Sequence, residues 1–293
     1  MKKIVLFIAA AIAGISLAGA QDLQKATELA KQANEALTGG NAQAAIENFQ
    51  AAATEAAQCT EEGAADLATS CKKGLAQAYY SYANNLIEGG SLSEAIEQLA
   101  TAAKIAAEVE ESELAEKAQE KTTQLHQAIA NAKIKAAGTA ADATAKLAAY
   151  KEAITHLDEV IAKEADNAKA YLQKGQVLSA INEKAQAVES YMKAAELGMA
   201  DAANKQLSNI FVKEAAAKLK AKDFKGAVSA ALKSNEYLEN ANAYKIAGTA
   251  SNALKDLPAA EKYLSKYVEL APNAKDAEQI KAAVTAIKAA QKK

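Results

Sequence analysis

Arginine is missing: all 34 basic residues of this 293-residue chain are lysine. Bidentate guanidinium contacts dominate phosphate and guanine recognition, so their absence argues against nucleic-acid binding. Tryptophan is absent, and proline occurs only twice, so little interrupts helix formation. His126 and His156 are the only histidines. Neither has a second histidine or a cysteine at the i+3 or i+4 positions. Cys59 and Cys71 are the only cysteines, and two cysteines without a neighbouring histidine make a poor zinc site. No serine sits in a nucleophile elbow and no glycine-rich phosphate loop occurs. These gaps leave no catalytic residue, no metal ligand and no cofactor to assign.

Alanine, glutamate, lysine, leucine and glutamine abound, all good helix formers, and the chain therefore reads as mostly helical. The first twenty residues stand apart. Lys2 and Lys3 precede an apolar run from Ile4 to Leu17, and Ala18-Gly19-Ala20 supplies a small-x-small cleavage pattern. Residues 1–20 are predicted to be a secretory signal peptide, with mature protein from near Gln21. The run is short for a spanning helix, which needs about 20 apolar residues. No cysteine follows it to accept a lipid. An exported chain, periplasmic or secreted, with no membrane span is the expectation.

One segment recurs. Gly40-Asn41-Ala42-Gln43-Ala44-Ala45-Ile46 with Phe49 aligns with Gly90-Ser91-Leu92-Ser93-Glu94-Ala95-Ile96 with Leu99. The form returns around Ala153 with Leu157, Ala187 with Tyr191, Ala227, and Ala260 with Leu264. A small residue and a large one four positions later share a helical face. The preceding Asn41, Ser91, Asp223 or Asp256 is a good N-cap. Tyr171 followed by Gly175, and Tyr244 followed by Gly248, supply matching first helices.

These residues resemble the tetratricopeptide repeat (TPR), a helix–turn–helix unit of about 34 residues. Successive alanines lie 50, 58, 34, 40 and 33 residues apart. The C-terminal repeats therefore follow the family period, while the N-terminal ones require longer helices or an inserted turn. The resemblance implies an all-α, right-handed helical-repeat solenoid of about six helix pairs plus a C-terminal capping helix. The expected divisions are a signal peptide at 1–20, degenerate repeats with long helices at 21–137, TPR-like repeats at 138–274, and a capping helix and tail at 275–293.

Export places the cysteines in an oxidising compartment. A Cys59–Cys71 disulfide is expected there, closing a thirteen-residue segment and stabilising by roughly 3 kcal/mol in the chain-entropy model. Free thiols are the alternative. Both histidines are expected at the surface or in a groove.

TPR proteins hold peptides or helices in a concave groove lined by first helices. Carried onto this chain, that geometry gives a partner-binding set of Asn34, Tyr80, Asn84, Gln176, Lys245 and Thr249. Asn34 and Asn84 match positions where family members that clamp C-terminal carboxylates carry asparagine. That clamp also needs several basic residues around it, which are not present here, so the neutral asparagines suit a peptide backbone and not a C-terminal carboxylate. Charge is also uneven. Residues 21–137 hold 9 lysines and 17 acidic residues, whereas 138–293 hold 23 and 19. Glu108, Glu110, Glu111, Glu113 and Glu116 oppose lysines 213, 218, 220, 222 and 225, a polarity that could orient a partner. The expected function is a non-catalytic scaffold for a protein or peptide partner. A lipid- or small-molecule-binding repeat protein is the alternative, and self-association is open under both.

Overall fold

The computed structural model describes residues 20–292. The expected signal peptide lies outside them, apart from Ala20. Among the described residues the protein is all-α, with thirteen α-helices and one π-helical segment. The helices are α1 (Ala20–Thr38), α2 (Ala42–Gln58), α3 (Ala64–Glu88), α4 (Leu92–Glu108), α5 (Ser112–Thr139), α6 (Ala143–Lys163) and α7 (Ala168–Ala180). They continue as α8 (Lys184–Ala194), α9 (Ala200–Lys220), α10 (Phe224–Tyr237), α11 (Ala241–Ala253), α12 (Leu257–Leu270) and α13 (Ala277–Ala290). In chain order the helices make six helix–turn–helix segments, with α13 after the last, and within each but α5–α6 the two helices pack on one another. The long intervals of the sequence are long first helices: α3 has 25 residues and α5 has 28.

Two compact units divide the chain between Asn131 and Ala132, inside α5. In the first unit α2 packs on α1, α3 packs on α2, and α4 packs on α3; α3 also lies against α1. In the second unit each helix from α7 to α13 packs on its predecessor, and α11 also lies against α9. First helices of successive pairs are thus neighbours at α1 and α3 in the first unit and at α9 and α11 in the second.

The six recurring alanines, 45, 95, 153, 187, 227 and 260, are all fully buried. Full burial of so small a side chain brings the neighbouring backbone close. Four residues later stand Phe49, Leu99, Leu157, Tyr191 and Leu264, each buried. The fifth pair departs from this: its residue is Ala231. There Ser208 of α9 and Ser234 of α10, both fully buried, meet at 2.8 Å between hydroxyl oxygens. The small residues permit that close approach, and the mutual hydrogen bond offsets the desolvation of the two hydroxyls.

Glycines on first helices are shaped by the partner side chain. A Cβ on Gly175 would lie 2.7 Å from the Tyr191 ring, and one on Gly248 would lie 2.6 Å from Leu264 Cγ. Gly74 of α3 meets the Phe49 ring in the same way, and still more closely. That position had no sequence signal because it sits in the N-terminal extension of α3.

Six turns share one backbone device. Gly40, Gly90, Glu110, Asn182, Lys222 and Lys255 all have positive φ, between 60° and 83°. The next residue donates its N–H five positions back, as in Asn41 to Ala36 O at 2.9 Å and Ser91 to Leu86 O at 2.8 Å. This closing bond satisfies a carbonyl at the helix end. The same next residue caps the following helix: Asn41, Asp223 and Asp256 accept from backbone N–H groups three residues on, at 3.2, 2.9 and 3.1 Å. Ser91, expected to cap α4, makes no side-chain cap bond. No described helix is long and apolar enough to cross a membrane.

Candidate functional site

In the first unit, Tyr80 and Asn84 occupy successive turns of α3, both half-buried. Lys121 reaches them from α5, the first helix of the next pair. Its ammonium donates to Asn84 Oδ1 at 2.5 Å and lies 5.4 Å from the Tyr80 ring centroid. The ring face attracts the cation while the amide fixes its position. One turn earlier, Lys117 pairs with Glu113 at 2.5 Å. Two adjacent first helices therefore present an aromatic, an amide and an ammonium as one half-buried group. A single basic residue stands beside Asn84: Lys121, which the sequence places 37 residues away.

Asn34 behaves differently. Its side-chain amide donates to Ala30 O of its own helix at 2.8 Å, and this bond holds it along α1.

The remaining expected groove residues lie in the second unit. Gln176 is exposed on α7. Thr249 is exposed and donates to Lys245 O at 2.8 Å, one turn back along α11. Lys245 is held by Asp276, whose Oδ2 lies 2.5 Å from its ammonium, and sits 5.5 Å from the Tyr267 ring centroid. Tyr267 donates to the other Asp276 oxygen at 2.5 Å. The Lys245 hydrogen bond, then that of Tyr267, holds the Asp276 carboxyl below the usual carboxylate range, and Asp276 in turn raises the Tyr267 hydroxyl. Lys245 is thus part of a clamp between α11, α12 and the start of α13.

The second unit also holds a feature that no motif announced. An open cleft of about 760 Å³ is lined by Tyr171 and Lys174 of α7 and by Val188, Glu189 and Met192 of α8, with Glu196 beyond. Lys174 is tied to Asp158 at 2.6 Å, and Met192 is 44% exposed.

Cys59 and Cys71 are free thiols in the structure, in place of the expected disulfide. Cys59 follows α2 and donates to Glu55 O at 3.3 Å. Cys71 is buried in the α1–α3 core, and that burial pushes its thiol up to about 12. Burial, then the charge of Glu61, raises Cys59 too. The disulfide was inferred from the compartment, which says nothing about where two side chains lie. His126 and His156 are half-buried. Burial, then Lys133, lowers the pKa of His156. Among the described residues no group of three or more His, Cys, Asp or Glu could hold a metal ion.

No family model and no curated protein matches the chain. Among solved structures it is similar to the C-terminal part of a TPR repeat-containing protein from Cytophaga hutchinsonii. That match has 16% identity over 85% of this chain and 98% of the other, with a TM-score of 0.38. A thermophilic TPR protein from Thermus thermophilus matches at 15% identity over 89% and 98%, with a TM-score of 0.26. PilW, a widely conserved type IV pilus biogenesis factor, matches at 15% identity over 70% and 98%, with a TM-score of 0.32. At these TM-scores the assignment of a TPR-like fold rests on the pairing, the crossing alanines and the turns described above.

Proposed function

We propose that this chain is an exported, non-catalytic scaffold that holds a partner protein or peptide on the surface formed by its first helices. The observation that carries this is the Tyr80–Asn84–Lys121 group. Two successive first helices converge there, and the group combines a flat apolar face with a donor amide and a cation. Such a group suits an extended peptide: the amide can serve a backbone, the ring a side chain, and the ammonium an acidic group. Aromatic anchors and positioned polar groups of this kind concentrate binding energy in protein interfaces. Of the other expected groove residues, Asn34 is bound to its own helix and Gln176, Lys245 and Thr249 lie in the second unit, so the proposal rests on the α3–α5 face.

The partner is to be captured by proximity labelling in the native envelope and its affinity measured with purified components. Tyr80→Ala and Lys121→Ala should each weaken it about tenfold, the equivalent of about 1.4 kcal/mol. Unchanged affinity in both variants would remove this face from the proposal. Export has its own test: N-terminal sequencing of the mature protein should begin near Gln21.

The cleft beside Met192 favours a second reading, a small ligand held in the second unit. Native mass spectrometry separates the two, because a retained small molecule would support the cleft and not the α3–α5 face.

A further inference from the structure

Charge divides with the two units. Residues 21–131 carry 7 lysines against 17 acidic residues, a balance of −10, and residues 132–293 carry 25 against 19, a balance of +6. Within each unit, the excess gathers at one turn. Around the α4–α5 turn stand Glu108 at the end of α4, Glu110 in the turn and Glu113 in α5; around the α9–α10 turn stand Lys220, Lys222 and Lys225 in the same three places. All six are exposed.

The two turns are the same structure. The central residue is left-handed in both, with φ of 60° at Glu110 and at Lys222. The following N–H closes the turn in both, Glu111 to Ala106 O at 2.8 Å and Asp223 to Lys218 O at 2.9 Å. The charged residues occupy the same three places on this frame, with opposite sign. The opposite charges nearest each turn are engaged with other residues: Lys73 with Glu111 at 2.6 Å beside the acidic turn, and Asp223 with Lys218 at 3.3 Å in the basic one. Among the described residues, Lys220, Lys222, Lys225, Glu108 and Glu110 have no ion-pair partner. Glu113 pairs with Lys117, but both side chains are largely exposed, and an exposed i,i+4 pair exchanges readily.

We propose that the acidic α4–α5 turn of one copy of this chain docks on the basic α9–α10 turn of a second copy. Set face to face in reversed order, Glu108 meets Lys225, Glu110 meets Lys222 and Glu113 meets Lys220. The second copy is the fitting occupant because it carries the complement of each turn on a matching backbone. A uniformly anionic surface would match the lysines alone and leave the acidic turn unused. The contact joins unlike surfaces, so copies either close into a ring or add successively. It does not depend on the peptide-binding face.

The test uses the full chain and sedimentation equilibrium. From about 1 M to about 0.01 M salt the Debye length grows from about 3 Å to about 30 Å. The weight-average mass of the wild type should rise with concentration at low salt and return to one chain at high salt. An acid-reversed variant (Glu108→Lys, Glu110→Lys, Glu113→Lys) and a base-reversed variant (Lys220→Glu, Lys222→Glu, Lys225→Glu) should each stay single at low salt. Mixed in equal amounts, they should associate again, since each then supplies what the other lacks. The exchanged residues already occupy the same backbone in the opposite turn, and circular dichroism will confirm folding. Glutamine substitutions at the same positions, which should also abolish association, provide a milder second set. A wild type that stays single at low salt, reversed variants that associate like the wild type, or a mixture that stays single would each overturn the proposal.

Discussion

Gly175 and Gly138 are both helical glycines, and their surroundings predict opposite responses to the same methyl group. At Gly175 the new Cβ would press on the Tyr191 ring at 2.7 Å, with Tyr191 itself buried. Overpacking of this kind costs about 1–3 kcal/mol, more than the helix propensity gained. Gly175→Ala should therefore lower the thermal midpoint. At Gly138 nothing lies within 4 Å of the new atom. Gly138→Ala should raise stability by about 0.4–1 kcal/mol, through helix propensity and a less free unfolded chain. Calorimetry on the two variants decides it, and a common sign would show that the environment of Tyr191 is less rigid than its geometry. The thiols offer a second contrast. With its thiol pushed up to about 12 and its side chain buried, Cys71 should resist alkylation in the native protein. Cys59, half-buried, should react first. Intact mass should show one label natively and two in denaturant; no label under either condition would mean that the oxidised protein forms the disulfide after all.

At the scale of elements, α13 is fastened by charge as well as by Val284 and Ile287. Asp276 accepts from both Lys245 and Tyr267, and its carboxyl is held below its ordinary 3.8. A carboxylate so depressed stabilises the folded state above its unfolded pKa. That stability is lost as pH falls through the lower folded value. Protection of α13 against hydrogen exchange should therefore fall first in strong acid, and Asp276→Asn should reproduce the loss at neutral pH. Equal protection in the variant would show that the apolar face alone holds the helix. The turns suggest an engineering change as well. Lys255 sits at φ of 62°, where a side chain is disfavoured and glycine is not. Lys255→Gly should gain up to about 1 kcal/mol, measured by denaturant midpoint.

Much of this was legible from the chain because its determinants are local. The crossing alanine and its partner four residues on share one helix, as do Tyr80 and Asn84. The turns could be placed because glycine or asparagine stands at three of the six left-handed positions. Glu110, Lys222 and Lys255 adopt that conformation without any such mark. What escaped involves separate helices. Lys121 meets Asn84 only because α5 stacks beside α3, and the weak third repeat concealed that register. The Ser208–Ser234 bond and the Asp276 clamp escaped for the same reason, since hydroxyls and carboxylates on helices read as solvent-facing until a neighbour is placed against them. The boundary inside α5 shifts the charge balance but left no local mark of its position, because the helix continues through it.

For the molecule as a whole, helix-on-neighbour packing governs how damage spreads. In an array each pair is stabilised by its own interface and those of its immediate neighbours, and stability is close to a sum of such terms. Gly175→Ala strikes the α7–α8 interface, and α7 also packs on α6 while α8 packs on α9. Amide protection should fall most in α7 and α8 and less in α6 and α9. In the first unit, α1 to α4 pack among themselves around Phe49, Leu67 and Leu99. Their protection should stay at the wild-type level, because local opening draws only on the terms that the substitution changes. Hydrogen exchange read helix by helix distinguishes this from a single cooperative domain. In that case protection of the slowest amides would fall by the same factor throughout, and the two compact units would have to unfold as one.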